Sequence, residues 1–438
     1  MTYSETLSSL YALSPDFQNV GKKAYKPGLD NALRLDEHFD HPHRRFKSIH
    51  VAGTNGKGST SHMLAAVLQT AGCRVGLYTS PHLIDFRERI KVNGEMISER
   101  EVVDFAEKHR AAAECVRPSF FELTMMMAFD FFARKKVDVA VVEAGLGGRL
   151  DSTNVITPVL SVITNIGLDH TDLLGDTLEK IAAEKAGIIK PHVPVVVGEY
   201  QPEVAHVFEQ KARECGAPLT FAEVNSQQST VNSHLPHKPT HPSGEAVRQS
   251  SIVNRQSSIT LDLNGDYQRK NLCTTLAALN VLRQRNLFSF SEKDVEEGLR
   301  HAAALTGLRG RWQQVQSNPA VVLDTGHNAH GLQLAMLQLA KVSCRRLHIV
   351  FGMAADKDID SVVALLPKNA AYYFTQAATP RALPADVLTE KCRAAGLRGE
   401  AFSTVAQALQ TAKQNAAPND FIFVCGSGYV VGEGLMHN

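Results

Sequence analysis

The sequence predicts an α/β protein made of two parallel-sheet units, the first carrying a phosphate-binding loop. Three observations predict it. Apolar runs of strand length alternate with helix-length segments from 46 to about 222, and again from about 306 to 425. The glycine-rich run Gly53-Thr54-Asn55-Gly56-Lys57-Gly58-Ser59 lies between a strand candidate and a helix candidate. The chain of 438 residues is also too long for one ordinary core.

Taken in order, residues 1 to about 45 read as helical pieces broken at Pro15, Pro27 and Pro42. Strands are expected at 46–52, 74–79, 137–144, 158–166 and 193–198, with helices between them at 98–114, 121–135, 176–189 and 202–215. Val137-Asp138-Val139-Ala140-Val141-Val142 is β-branched and nearly all apolar, as a central strand covered on both faces should be. The stretch 224–258 is rich in Ser, Gln, Asn, His and Pro and reads as a surface insertion. Its His234, His237 and His241 have no accompanying cysteine and fit no metal spacing. Helices follow at 268–285 and 291–303. A second series then runs strand 319–324, helix 330–342, strand 346–351, helix 358–366, strand 370–375, helices 384–395 and 404–416, and strand 420–425. The expected domains are therefore 1–305 and 306–438, with the boundary near Thr306-Gly307-Leu308-Arg309-Gly310.

Composition removes several function classes. A formal net charge of +1 gives no global field for nucleic acid or an anionic membrane. The seven cysteines are odd in number and contain no C-x-x-C pair, so neither a disulfide framework nor a zinc knuckle is expected. No apolar run approaches membrane-spanning length, and the first residues lack a basic region followed by an apolar core. The expectation is a cytoplasmic protein without membrane or nucleic-acid partners.

The chemistry-bearing residues sit at strand ends. In the run 53–59, glycines let backbone N–H groups turn toward phosphate oxygens, the following helix adds its N-terminal partial charge, and Lys57 adds a full one. The run departs from the common phosphate loop. Two residues rather than four separate Gly53 from Gly56, and Gly58 stands where Ser or Thr usually follows the lysine. Glu143 ends the central strand beside this loop, where a carboxylate can hold Mg²⁺; the alternative is a solvated loop glutamate, and the glycines at 145, 147 and 148 favour close approach of a ligand. His170 follows another strand and could ligate a metal through neutral imidazole, or be a hydrogen-bonded loop histidine. The lysines of 178–190 have the Glu/Lys spacing of a solvated helix face, and by themselves read as one. In the second unit, Asp324-Thr325-Gly326-His327-Asn328, Asp356-Lys357-Asp358 and Gly426-Ser427-Gly428 each follow a strand, although any one could be a turn.

Together these residues resemble the folate branch of the Mur ligase superfamily, the folylpolyglutamate and dihydrofolate synthases. The short-spaced loop with Gly58 resembles that branch's own variant, and Thr79-Ser80-Pro81-His82-Leu83 resembles its next loop. The resemblance implies the Mur ligase architecture, a P-loop NTPase-like domain followed by a smaller Rossmann-like one. It implies ATP contacts from Gly53, Thr54, Asn55, Gly56, Lys57, Gly58, Ser59, Gln268, Asn271, Arg311, Asp324 and His327. It implies Mg²⁺ ligands at Ser80, Glu143 and His170, and a second Mg²⁺ held by a carbamylated Lys185, which reverses the solvated reading of that lysine. Catalytic roles would fall to Lys57, Lys185, His170 and Arg311. Tyr267 stands where a His is usual, and Thr325 and Gly326 depart from an Asp-Gly-Ala-His-Asn pattern. The insertion 224–258 is not covered.

The implied reaction joins L-glutamate to a pteroate or folate carboxylate through an acyl phosphate, giving an amide, ADP and phosphate, in a monomer. A Mur-type ligase acting on a peptidoglycan precursor, a P-loop kinase or NTPase, and a non-enzymatic nucleotide-binding module are the rivals. Only the ligases tie ADP release to an amino acid.

Overall fold

A computed structural model describes residues 1–13, 28–222 and 259–438. The predicted insertion 224–258 and the expected breaks at Pro15 and Pro27 lie outside the described residues. The first sheet contains β1 (Lys47–Ala52), β2 (Val75–Tyr78), β3 (Ile90–Val92), β4 (Glu95–Met96), β5 (Val139–Glu143), β6 (Leu160–Ile163), β7 (Val195–Val197) and β8 (Leu219–Phe221). Its order is β4-β3-β2-β5-β1-β6-β7-β8. The six strands β2, β5, β1, β6, β7 and β8 are parallel, and the β3–β4 hairpin adds an antiparallel edge.

The pleat of β5 shows why this sheet is buried on both faces. Val139 and Val141 join one apolar cluster, whereas Ala140 and Val142 join the other. On the first face the helix Lys57–Thr70 is enclosed by the sheet and by the helices Gln268–Gln284 and Glu292–Arg300, through Met63, Val67, Leu272, Leu282 and Leu299. That enclosure explains why ten consecutive residues of the helix, Ser59–Leu68, are buried rather than one stripe. On the other face Phe120–Arg134 packs Met126, Phe129 and Phe132. Ser119 caps that helix in a capping box with Glu122.

The second sheet contains β9 (Gln313–Ser317), β10 (Ala320–Leu323), β11 (Leu347–Phe351), β12 (Ala371–Thr375), β13 (Gly399–Phe402) and β14 (Phe421–Cys425). Its order is β13-β12-β11-β14-β10-β9, parallel except at β9. The same alternation divides β14, with Phe421, Phe423 and Cys425 on one face and Ile422 and Val424 on the other.

Some elements differ from the sequence expectation. The helix expected at 98–114 is two, Glu99–Lys108 and Arg110–Val116, joined at His109. The helix expected to reach 189 ends at Ala186, with Gly187 as its C-cap. Strands β3, β4, β8, β9 and β13 were not anticipated, nor was the final helix Gly428–Met436. Each of those strands is short or carries partly exposed polar residues, so none makes an apolar run. All seven cysteines are free. Among the described residues no helix is long and apolar enough to cross a membrane.

Strand order positions the site. Neighbours β2, β5, β1 and β6 deliver Ser80, Glu143, the phosphate loop and His170 to one carboxyl edge. Neighbours β11, β14 and β10 deliver Lys357, Ser427 and the segment 324–328 to the carboxyl edge of the second sheet. Ligands of open α/β sheets bind at such edges.

Candidate active site

The loop 53–59 is held by its neighbours at close range. Gly53 has φ +146°, and a Cβ there would lie 1.9 Å from Thr164 Oγ1. Gly56 caps the helix Lys57–Thr70 with φ +82°, and a Cβ there would meet Asn271 Oδ1 at 2.2 Å. Both positions therefore require glycine. Asn55 N donates to Asn165 Oδ1 at 3.0 Å, and Thr164 Oγ1 donates to Asn55 O at 2.6 Å. Thr54 Oγ1 donates to Gly167 O at 3.1 Å. Behind the loop, Gln268 Nε2 donates to Ser59 Oγ at 3.1 Å and Asn271 Nδ2 to Gln268 Oε1 at 2.8 Å. Ser59, Gln268 and Asn271 are buried, so these side chains brace the loop from the protein side.

Two lysines converge on the same backbone. Lys57 Nζ donates to Gly53 O at 3.1 Å and Thr54 O at 3.2 Å. Lys185 Nζ donates to Gly53 O at 2.9 Å from the helix Leu178–Ala186. Lys185 is buried, unlike a solvated face residue, and burial together with the charge of Lys57 pushes its ammonium down to about 7.

Ser80, Glu143 and His170 line one cavity of about 320 Å³. Glu143 Oε2 accepts from Ser80 N at 3.1 Å, which ties the two predicted ligands together. Burial pushes the Glu143 carboxyl up, against the opposing pull of Lys57, the Ser80 N–H and Arg311. Burial and the charge of Lys357 push the His170 imidazole down to about 3, so it is neutral and able to offer a lone pair. Among the described residues no group of three or more His, Cys, Asp and Glu could hold a metal ion. The three donors are instead a hydroxyl, a carboxylate and an imidazole. They fit a hard cation that completes its shell with water and phosphate oxygens.

The second sheet closes the same cavity with Arg311, His327 and Lys357. A Cβ on Gly58 would lie 3.8 Å from Arg311 Nη2 and 3.7 Å from Glu143 Oε2, so the arginine faces the loop and the carboxylate together. Asp324 is buried and spends both oxygens on protein donors. Oδ2 accepts from Tyr267 Oη at 2.6 Å and Trp312 N at 2.9 Å, and Oδ1 from Gly326 N at 2.8 Å. Its geometry is that of a junction between the domains.

Sequence reasoning left several residues in and behind the cavity without a role. Asp169 accepts from Lys357 Nζ at 2.7 Å and Asn328 Nδ2 at 3.0 Å. Asn328 Nδ2 also donates to Asn55 Oδ1 at 3.1 Å, and Asn55 Nδ2 lies 2.9 Å from His330 Nδ1. Asp169 and the phosphate loop thus hold one segment of the second domain. Burial would raise the Asp169 carboxyl, but the His327 ring 3.6 Å away and the charge of Lys357 hold it well below the usual carboxylate range. Lys357 lies in the strand-end cluster Asp356-Lys357-Asp358 and Asp169 stands next to His170, but no local signal pairs them. Arg381, which lines the cavity and pairs with Asp356 at 2.5 Å, follows Pro380 in a loop and carried no sequence signal.

Comparison with known proteins agrees with this geometry. The family model of the Mur ligase middle domain matches residues 51–279, and that of the Mur ligase glutamate ligase domain matches 310–428. The dihydrofolate synthase/folylpolyglutamate synthase of Bacillus subtilis is 34% identical over 422 residues, covering 94% of this chain and 95% of that protein. The structure of E. coli FolC in complex with DHPP and ADP aligns with a TM-score of 0.81 at 31% identity, covering 100% of this chain and 97% of that one. A bifunctional folylpolyglutamate synthase/dihydrofolate synthase from Yersinia pestis, complexed with AMPPNP and Mn ion, aligns with a TM-score of 0.80 at 32% identity, covering 100% and 98%. With a two-sheet fold, a braced phosphate loop and a cavity closed from both domains, the chain belongs to the folylpolyglutamate synthase/dihydrofolate synthase branch of the Mur ligase family.

Proposed function

We propose that the chain uses ATP to join L-glutamate to the carboxylate of a pteroate or folate. The observation that carries this reading is the shared cavity. Gly58, Glu143 and His170 reach it from the first sheet, and Arg311, His327 and Lys357 from the second. One chain supplies both halves, so a monomer suffices.

A carboxylate is a poor electrophile because its leaving group would be oxide. Attack of a carboxylate oxygen on the γ-phosphorus of ATP breaks the bond to ADP and forms an acyl phosphate. The glutamate amine then attacks the acyl carbon, phosphate leaves, and the amine loses a proton to give the amide. Such chemistry needs positioning and charge neutralisation more than covalent help from the protein. Lys57 and Arg311 would face the transferring oxygens. Ser80, Glu143 and His170 would hold Mg²⁺, whose charge, when bound, offsets that of the phosphates.

Lys185 is suited to carbamylation. Its depressed ammonium leaves a large neutral fraction near pH 7, and a neutral amine adds CO₂ with loss of one proton. The product is a negative group beside the phosphate loop that would hold a second Mg²⁺. The polar grip of the second domain on Asn55 and Asp169 supports a closed arrangement that excludes water from the acyl phosphate. Purified protein should release ADP only when L-glutamate and dihydropteroate or tetrahydrofolate are both present. ADP release independent of glutamate would mean a kinase or NTPase instead.

A further inference from the structure

Tyr267 and Thr325, two departures from the pattern that the sequence resembles, meet at one junction. Tyr267, part-buried at the start of the helix Gln268–Gln284, donates its hydroxyl to Asp324 Oδ2 at 2.6 Å. The same oxygen takes the N–H of Trp312, the residue after Arg311, at 2.9 Å. On the other side, Thr325 N donates to Gly310 O, the residue before Arg311, at 3.0 Å. Asp324 and Thr325 therefore pin the backbone on both sides of Arg311.

The guanidinium is held as well. Arg311 Nη1 donates to Thr325 Oγ1 and, at 3.3 Å, to Gly310 O. Its Nη2 is the end that faces Gly58. A glycine at 325 would offer Nη1 no hydroxyl. An arginine side chain left to rotate gives up rotamer freedom when it engages a phosphate. A donor aimed in advance at developing charge avoids that loss.

We propose that Thr325 is a positioning residue that aims the Arg311 guanidinium at the phosphate loop, and that Tyr267, through Asp324, fixes the strand end that carries it. The inference rests on the reading that this loop and Arg311 bind ATP.

The test is a double-mutant cycle read by calorimetric binding of AMPPNP with Mg²⁺. Thr325→Val keeps the shape and removes the acceptor, and is expected to weaken binding about tenfold, as a hydrogen bond to a charged group would. Tyr267→Phe is expected to weaken it in the same direction. In an Arg311→Ala background neither change should weaken it further. Thr325→Ser keeps the hydroxyl and should bind within about threefold of the starting protein. Losses that simply add to that of Arg311→Ala, a tenfold loss in Thr325→Ser, or unchanged binding in Thr325→Val would each overturn the assignment. A protein that passes the cycle yet shows no glutamate-dependent turnover would sink the ligase reading and leave the positioning role intact.

Discussion

Lys357 Nζ of the second domain donates to Asp169 Oδ1 of the first at 2.7 Å, one residue before the predicted metal ligand His170. Both side chains are mostly buried, at 13% and 12% exposure. A pair this enclosed is costly to break from one side, because the remaining charge loses its partner. It also links 188 positions of sequence, and so joins the two sheets directly.

Asp169→Asn should loosen that link. Removing one partner of a buried pair costs about 3–5 kcal/mol. We expect a larger radius of gyration in small-angle scattering of the ligand-free protein and a glutamate-dependent rate lower by about tenfold or more. A variant as compact and as fast as the starting protein would remove the clasp from the account.

Lys185 carries a pH prediction with a definite sign. Its ammonium is pushed down to about 7, against 10.5 for a free lysine. Between those values the unfolded chain binds the extra proton, so the stability contributed by Lys185 rises with pH through that window. The neutral amine gains over the same range, and a carbamate should form more readily at pH 8 than at pH 6. With ¹³C-labelled bicarbonate, a carbamate resonance is expected that strengthens with pH and is absent in Lys185→Ala. Full activity in Lys185→Ala would exclude a carbamate from the mechanism.

Lys57 should act twice. Lys57→Met removes a charge proposed to face the transferring phosphate, and the expected loss is on the order of 10²–10³ in rate. Lys57 is also the charge that, after burial, most depresses Lys185. The midpoint of the carbamate signal should therefore rise in Lys57→Met. An unchanged midpoint would show that burial alone sets Lys185.

Gly53→Ala tests the close approach of loop and strand. The added Cβ would meet Thr164 Oγ1 at 1.9 Å on a backbone with φ +146°. The backbone strain alone is about 1–3 kcal/mol. A lower melting temperature and weaker nucleotide binding are expected, with partial recovery in Gly53→Ala/Thr164→Ala. Equal damage with and without Thr164 would place the cause in backbone strain alone.

What was legible follows from the kind of signal each element carries. β5 ends in Glu143 after an uninterrupted apolar run, and the phosphate loop carries its glycines in sequence, so both could be read locally. The edge strand Gln313–Ser317 carries three glutamines and a serine around Val315, so no apolar run marks it. Lys185 and Lys180 share one Glu/Lys pattern, yet one is buried and the other 62% exposed. What separates them is tertiary: Lys185 Nζ reaches Gly53 O across 132 residues, whereas Lys180 pairs with Asp176 one turn away. The pairing of Asp169 with Lys357 was hidden for the same reason: His170 and the cluster 356–358 could each be read locally, but nothing local says that their neighbourhoods meet.

The central claim is that ATP cleavage is coupled to formation of a glutamyl amide. ADP release by the purified protein, measured with and without L-glutamate and with and without dihydropteroate or tetrahydrofolate, tests it most directly. Release is expected only when the amino acid and the pteroate-type acceptor are both present. Turnover that ignores either one, or none with both, would contradict it.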